Sequence, residues 1–397
     1  MTSLSPNIRV IFIAGLLSSF IMGVFELLFP LYLQHRGVSL VDMGLIFSAS
    51  TLAISFSGIF LGEYADVYGR KRVYLSSCAL SAVSKSLLPL SSARLEILVN
   101  KFLHDFQESL RGSVHNIMLY ENARQAYAKL LSWFTASNFV LQAAGSLSFA
   151  VLLEYLGYSG SFLLLAGVEV AKLTAVLSYR ERREKRAGRR LSLREAYSFR
   201  VHRDLKVLAL CSAISGLGFG IAHGFLLPLY LVGKYGLDTA QMGLVTALHR
   251  LSFLTTPLAD GVIRRLGTRR TYMLSTSAYA VSFLAVGFIT FPIAVFVPIF
   301  LVHDLLGGGI GMTAMSVIVQ AHTVDSRRGR EINTFNALQT PVGIVAPVIA
   351  GILAAANWDL IFIAGGSLYA VSLLLFSLLF KEGGETPPTD RGRSNLA

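Results

Sequence analysis

Charged residues are scarce in this sequence. Asp, Glu, Lys and Arg make up 15% of its 397 residues, whereas a soluble domain carries about 25%. A chain this poor in charge cannot cover a water-facing surface, which excludes an ordinary soluble protein.

Cysteine is also rare. Cys78 and Cys211 both lie in apolar runs, which excludes a disulfide framework or a zinc–cysteine cluster. The chain has no Walker A motif and no nucleotide-binding fingerprint, which argues against an ATP-driven pump.

Long apolar runs dominate the chain instead. Hydrophobic residues make up 53% of it, and its mean hydropathy is +0.59. A membrane helix needs about 20 mostly apolar residues, and the chain contains twelve such windows. They are 9–33, 40–62, 73–93, 95–118, 130–154, 160–179, 207–232, 238–259, 271–291, 293–319, 333–355 and 359–380. The sequence therefore predicts an all-α integral membrane protein with twelve transmembrane helices.

The Lys and Arg residues concentrate in alternate connections between the predicted helices. They are densest in segment 180–206, whereas the connections on the other side hold only Arg36, Arg94 and Lys234. The positive-inside rule therefore predicts a multi-pass protein of the cell membrane with both termini in the cytoplasm. The same asymmetry accounts for the net charge of +12, so no nucleic-acid partner is expected. Segment 180–206 is interpreted as a solvated linker that could also rest on anionic lipid headgroups.

The second half of the chain repeats the first at a nearly constant offset of 198 residues. The matched elements are PLYL at 30–33 and 228–231, GRKR at 69–72 with GTRR at 267–270, and the His-Asp step at 104–105 and 303–304. A repeat of this length indicates two halves of six helices each. The predicted domains are a first bundle at 1–179, a basic cytoplasmic linker at 180–206, a second bundle at 207–381 and a cytoplasmic tail at 382–397.

Two parallel six-helix halves are the architecture of the major facilitator superfamily. The segment GEYADVYGRK at 62–71 resembles that superfamily's signature G-x-L-A-D-R-x-G-R-K, with departures at Tyr64 and Val67. The resemblance implies two six-helix bundles in a parallel pseudo-twofold repeat, in a secondary transporter that is not an enzyme and needs no cofactor. It also implies a gating role for Gly62, Asp66, Gly69, Arg70 and Lys71. The alternative is that the basic cluster only orients the loop.

Ten charged residues fall within the predicted spans, five of each sign, where each costs about 2.5–3.5 kcal/mol at a helix centre. They are Glu26, Asp105, Glu108, Glu169, Asp304, Lys85, Lys101, Arg111, Lys172 and Arg250. Glu169 and Lys172 are expected to form a local structural pair near the cytoplasmic surface. Lys85 and Arg250 are ambiguous from sequence, and Lys85 is a candidate to snorkel to the outer interface.

The fourth predicted helix carries a stripe of ionisable residues at helical spacing. Its members are Lys101, His104, Asp105, Glu108, Arg111 and His115. A stripe facing lipid would be prohibitively costly, so it is expected to line an aqueous cavity. In the superfamily, helices 1, 4, 7 and 10 surround that cavity, and the resemblance adds Glu26, His223, His303 and Asp304 to the substrate and proton site. The alternative is that Lys101–Asp105 and Glu108–Arg111 are ion pairs that only tie the bundle together.

Buried carboxylates and histidines can bind and release protons, and the cations Lys101 and Arg111 favour an anionic or zwitterionic substrate. The expected protein is a monomeric alternating-access secondary transporter of a small organic solute, proton-coupled and weakly favoured as an exporter. Uptake of an organic anion is the first alternative. A second is divalent metal transport through the His-Asp steps and Glu26, and a third is a sensor that kept the fold. No resident metal and no catalytic residue is predicted.

Overall fold

The computed structural model describes residues 5–123, 126–181, 203–323 and 328–380, and within these ranges it leaves out a few side chains, including those of 56–67. The described residues form fifteen α-helices and no strand. In chain order they are α1 (Pro6–His35), α2 (Leu40–Tyr68), α3 (Arg70–Leu87), α4 (Arg94–Asn122), α5 (Tyr127–Leu177), α6 (Arg203–Ala222), α7 (Leu226–Tyr235), α8 (Thr239–Ser252), α9 (Ala259–Leu266), α10 (Thr268–Phe288), α11 (Ile293–Val302), α12 (Gly309–Ala321), α13 (Arg328–Ala337), α14 (Thr340–Ala356) and α15 (Asp359–Leu379).

Each of the twelve predicted windows coincides with helix, and the all-α membrane fold is as predicted. Within the described residues, eight helical stretches are long and apolar enough to cross a membrane. One of them, Leu130–Leu177, has 48 residues and would be about 72 Å long if straight. That is more than twice the hydrocarbon core of about 30 Å. A break at Gly157, where φ is 61°, divides it into the two predicted helices at 130–154 and 160–179.

Four other predicted windows are also interrupted, and two of these interruptions fall at residues predicted for the site. The window at 207–232 is broken between α6 and α7, at His223 and at Gly224 with φ of 25°. The window at 293–319 contains a π-helical segment, His303–Gly308, between α11 and α12. Non-helical backbone at membrane depth is tolerated only where protein or water satisfies it, and π-helical segments are frequent at functional sites. Both interruptions fall on predicted site residues.

The helices contact one another in two units. The first unit comprises Met1–Arg190 and Phe225–Leu251. In it, α1 packs along α5, and the two backbones come so close at Gly23 and Gly145 that a Cβ at either position would meet the other helix's backbone. Glycine at both positions is what allows this approach. A buried apolar core that includes Tyr74, Val114 and Phe134 joins α3, α4 and α5.

The second unit comprises Leu191–Gly224 and Ser252–Ala397. Helices α6, α10 and α15 pack together in it, and a Cβ at Gly218 of α6 would lie 2.7 Å from the carbonyl oxygen of Gly365 on α15. Its core includes Leu208, Tyr272 and Phe376. The four-part domain division stays a sequence prediction, and most of segment 180–206 and all of the tail 382–397 lie outside the described residues.

Candidate substrate and proton site

The α4 stripe forms two ion pairs along one helix face. Lys101 pairs with Asp105, four residues on, and Glu108 pairs with Arg111, three residues on. Asp105 also accepts a hydrogen bond of 2.6 Å from the hydroxyl of Ser50 on α2. Asp105, Glu108 and Arg111 are partly exposed and Lys101 is nearly buried, so the pairs combine a desolvated cation with accessible carboxylates. The stripe thus combines paired charges with partial exposure of its carboxylates.

Glu26 of α1 forms an ion pair with Arg250 of α8, 224 residues away in the chain. Their side chains are 34% and 16% exposed, although both helices are largely apolar. A charge held at membrane depth normally pairs and normally marks a functional position. Glu26 was predicted as a site residue and Arg250 was not, since only its place inside an apolar window pointed to it.

His104 lies against an aromatic surface. Its ring stacks on that of Phe25, with 3.9 Å between ring centroids and an 18° angle between planes. Its Nδ1 is buried and has no hydrogen-bond partner among the described residues. The ammonium of Lys101 lies 4.5 Å from the centroid of Phe47, a distance typical of a cation–π contact. The site therefore offers apolar ring faces next to charged groups.

A second charge cluster lies deeper in the first unit. Glu169 Oε2 lies 2.5 Å from the ammonium of Lys172, and Glu169 Oε1 lies 3.3 Å from that of Lys85. All three side chains are at most 1% exposed. The Glu169–Lys172 pair was expected, but the suggestion that Lys85 snorkels to the interface is wrong. Because Glu169 and Ser81 satisfy the ammonium inside the protein, Lys85 does not need to reach the headgroups.

In the second unit, the predicted site residues His223, His303 and Asp304 lie together. His303 Nδ1 bonds to the carbonyl of Phe300, and its Nε2 lies 3.2 Å from the carboxylate of Asp304. His303 and Asp304 are fully buried and belong to the π-helical segment. The rings of His223 and His303 are 5.8 Å apart. The broken backbone thus brings three polar groups to one place.

The residues of the predicted gating motif begin helix α3 and end helix α2. The side chains of Gly62 and Asp66 lie outside the described residues. Gly69 has φ of 89° and starts α3. Arg70 forms an ion pair with Glu121 near the end of α4, and the ammonium of Lys71 donates to the carbonyl of Leu177 at the end of α5 over 2.6 Å. The basic residues therefore tie together the ends of three helices.

The sequence of this chain matches one known protein family in both of its halves. The family model of the Major Facilitator Superfamily matches residues 11–248 and, in a second match, residues 208–396. The chain belongs to the major facilitator superfamily. It is therefore a multi-pass membrane transporter of small solutes and not an enzyme, with the superfamily's twelve helices in two six-helix bundles, as the sequence predicted.

Two similar superfamily proteins are tetracycline resistance proteins. The class G protein of Vibrio anguillarum is 24% identical over 337 residues, covering 79% of this chain and 81% of the relative. The class B protein of Escherichia coli is 21% identical over 331 residues, covering 80% of each chain. A solved structure of a point mutant of the nucleoside transporter NupG superposes with a TM-score of 0.82 at 14% identity, covering 94% of this chain and 100% of that one. This last likeness shows the superfamily fold alone.

Proposed function

We propose that this superfamily transporter exports a small organic solute in exchange for protons. The observation that carries the proposal is the partly exposed ion pair between Glu26 and Arg250. A donor group of the solute would displace Arg250 and bind the ionised carboxylate of Glu26. Protonation of Glu26 would remove that charge and release the solute, and loss of the proton on the cytoplasmic side would re-form the pair with Arg250. A proton and a solute would thus compete for the same carboxylate, which is the requirement for exchange.

The two ion pairs of α4 supply a second place for the same competition. Asp105 is held by Lys101 and by the hydroxyl of Ser50, so its charge is balanced without a substrate. A zwitterionic solute would bind Lys101 or Arg111 with its anionic group and Asp105 or Glu108 with its cationic group, and a proton on the carboxylate would release it. The aromatic faces of Phe25 and Phe47 would contact an apolar part of the solute. We propose His104, His223, His303 and Asp304 as further residues of this substrate and proton site.

The proposed direction rests on the curated relatives. Both are described as resistance proteins for tetracycline, and removal of a compound from the cell is a direct route to resistance. We propose that this chain works as a monomer in the cell membrane, with both termini in the cytoplasm and lipids around it. The proposed gate at the cytoplasmic end includes Gly62, Asp66, Gly69, Arg70 and Lys71, of which the basic members contact the ends of α4 and α5.

The test measures transport into inside-out membrane vesicles whose interior is more acidic than the medium. Labelled tetracycline is the first probe, and a panel of labelled amphiphilic anions and cations is the second. Glu26→Gln and Asp105→Asn should each reduce gradient-driven accumulation to the level of empty vesicles, because neither amide can exchange a proton. Glu154→Gln is the matched control, since Glu154 is exposed on α5 and should keep wild-type transport. Proton-driven accumulation that survives both site variants would overturn the coupling role.

The second candidate function is uptake of an organic anion, which the cations Lys101 and Arg111 favour. The same probes separate the two functions. Uptake predicts that right-side-out vesicles accumulate the anions when the outside is acidic, and that inside-out vesicles acidified inside do not accumulate them.

A further inference from the structure

The buried cluster around Glu169 holds two lysines and one carboxylate, and the proposed exchange does not use it. Glu169 faces two ammonium groups, Lys85 at 3.3 Å and Lys172 at 2.5 Å. The hydroxyl of Ser81 donates to Glu169 over 2.7 Å and accepts from Lys85 over 2.5 Å. A single buried carboxylate needs only one such partner to balance its charge. The second lysine therefore calls for another explanation.

The two lysines differ in what they contact on helix α1. Lys172 donates a hydrogen bond of 3.0 Å to the hydroxyl of Ser18, an ordinary tie between helices. Lys85 instead places its ammonium 5.4 Å from the centroid of the Phe25 ring. A cation at this distance is attracted to the ring, and the attraction is strongest where water is excluded. Lys85 is fully buried, so this condition is met.

Phe25 connects the buried cluster to the proposed site. It precedes Glu26 in the chain, and its ring carries the stacked ring of His104. Phe29 and Phe162 also contact this ring, with centroids 5.3 and 6.1 Å away. A displacement of Phe25 would therefore displace His104 and would change the orientation of the adjoining Glu26.

We propose that Lys85 is a positioning residue for the substrate site. Its ammonium, anchored by Glu169 and Ser81, holds the Phe25 ring, and the stacked ring in turn holds His104 in its place in the site. Lys172 anchors the same carboxylate but has no such role. This inference rests on the proposed function only in taking His104 as a substrate-site residue.

The first experiment observes the His104 ring itself, in the full-length protein in lipid nanodiscs with 13C-labelled histidine. The His104 signal is identified among those of the eight histidines because it disappears in His104→Gln. The Phe25→Leu variant gives the chemical shift of His104 without the stacked Phe25 ring. Lys85→Met should move the signal toward the Phe25→Leu position, and Lys172→Met should leave it at the wild-type position. Each variant keeps one lysine paired with Glu169, so the two are matched in charge. A wild-type signal in Lys85→Met, or equal shifts in both variants, would overturn the proposal.

The second experiment measures tetracycline transport in vesicles. Lys85→Met should raise KM about fivefold to tenfold, a factor of ten corresponding to about 1.4 kcal/mol, with little change in kcat. Lys172→Met should keep the wild-type KM, and Lys85→Met should add nothing in a Phe25→Leu background. If vesicles with the wild-type protein accumulate no solute in response to a pH gradient, the proposed exchange is wrong. The histidine spectra still test the positioning role of Lys85 in that case. Lys85→Gln replaces Lys85→Met if the latter does not fold.

Discussion

The two units of this transporter hold their polar groups in different ways. Of the ten charged residues within the predicted spans, nine lie in the first unit and only Asp304 lies in the second. The first unit arranges its charges as ion pairs on continuous stretches of helix, such as Lys101–Asp105 on α4. The second unit places His303 and Asp304 on a π-helical segment next to three consecutive glycines at 307–309. The polar groups of the first unit therefore depend on charge balance, and those of the second on backbone geometry.

The difference follows from what destabilises each arrangement, the buried ion pair and the interrupted helix. A buried ion pair is tolerable only while both partners are present. A broken helix requires side chains small enough to let neighbouring elements approach, and a Cβ at Gly309 would overlap Thr256. The charged cluster of the first unit should therefore be sensitive to the removal of one charge, and the polar segment of the second unit to the addition of one methyl group.

The largest expected effect is in the charge cluster of the first unit. Glu169→Gln would leave Lys85 and Lys172 buried without a carboxylate, and should destabilise the protein by about 3–5 kcal/mol. The loss should appear as a lower melting temperature of the purified transporter. The double variant Glu169→Gln with Lys85→Met should recover part of the loss, because it buries one uncompensated charge instead of two. An unchanged melting temperature in Glu169→Gln would contradict the dependence of this unit on charge balance.

A smaller effect is expected for the backbone of the second unit. Gly309→Ala would force a Cβ against Thr256, and overpacking of this kind costs about 1–3 kcal/mol. Gly261 on α9 has no neighbouring atom within 4 Å of an added Cβ, so Gly261→Ala should be neutral or slightly stabilising. Melting temperatures of the two variants measure the contrast. Equal effects would show that the close approach at the π-helical segment is unimportant.

The smallest effects should come from ion pairs at the helix ends of the first unit. Arg70 and its partner Glu121 are largely shielded from solvent, and Arg70→Gln should cost about 1 kcal/mol. Arg94, whose side chain is 74% exposed beside Asp42, should contribute only a few tenths of a kcal/mol after screening by solvent. Thermal unfolding of Arg70→Gln and Arg94→Gln measures the two losses of stability. A larger loss of stability for Arg94→Gln than for Arg70→Gln would contradict this ranking.

Much of the fold could be predicted because helix length and hydropathy are local properties. The twelve windows, the interruption at Gly157 and the i,i+4 pair of Lys101 with Asp105 all follow from residues close together in the chain. The partners of Glu26 and Lys85 could not be predicted, since Arg250 and Glu169 lie 224 and 84 residues away and nothing in a single sequence records which helices become neighbours. Arg250 was visible only as a charge without an assigned partner.

The order of residues is enough to predict a helical membrane protein built on a repeat, because each apolar segment enters lipid on its own length and hydropathy. The same order shows which residues are costly enough in lipid to need partners. The identity of those partners, and the places where the helices break at His223 and His303, are visible only in the folded protein. Both depend on how helices distant in sequence pack, and so do the contacts of Phe25 with His104 and Lys85.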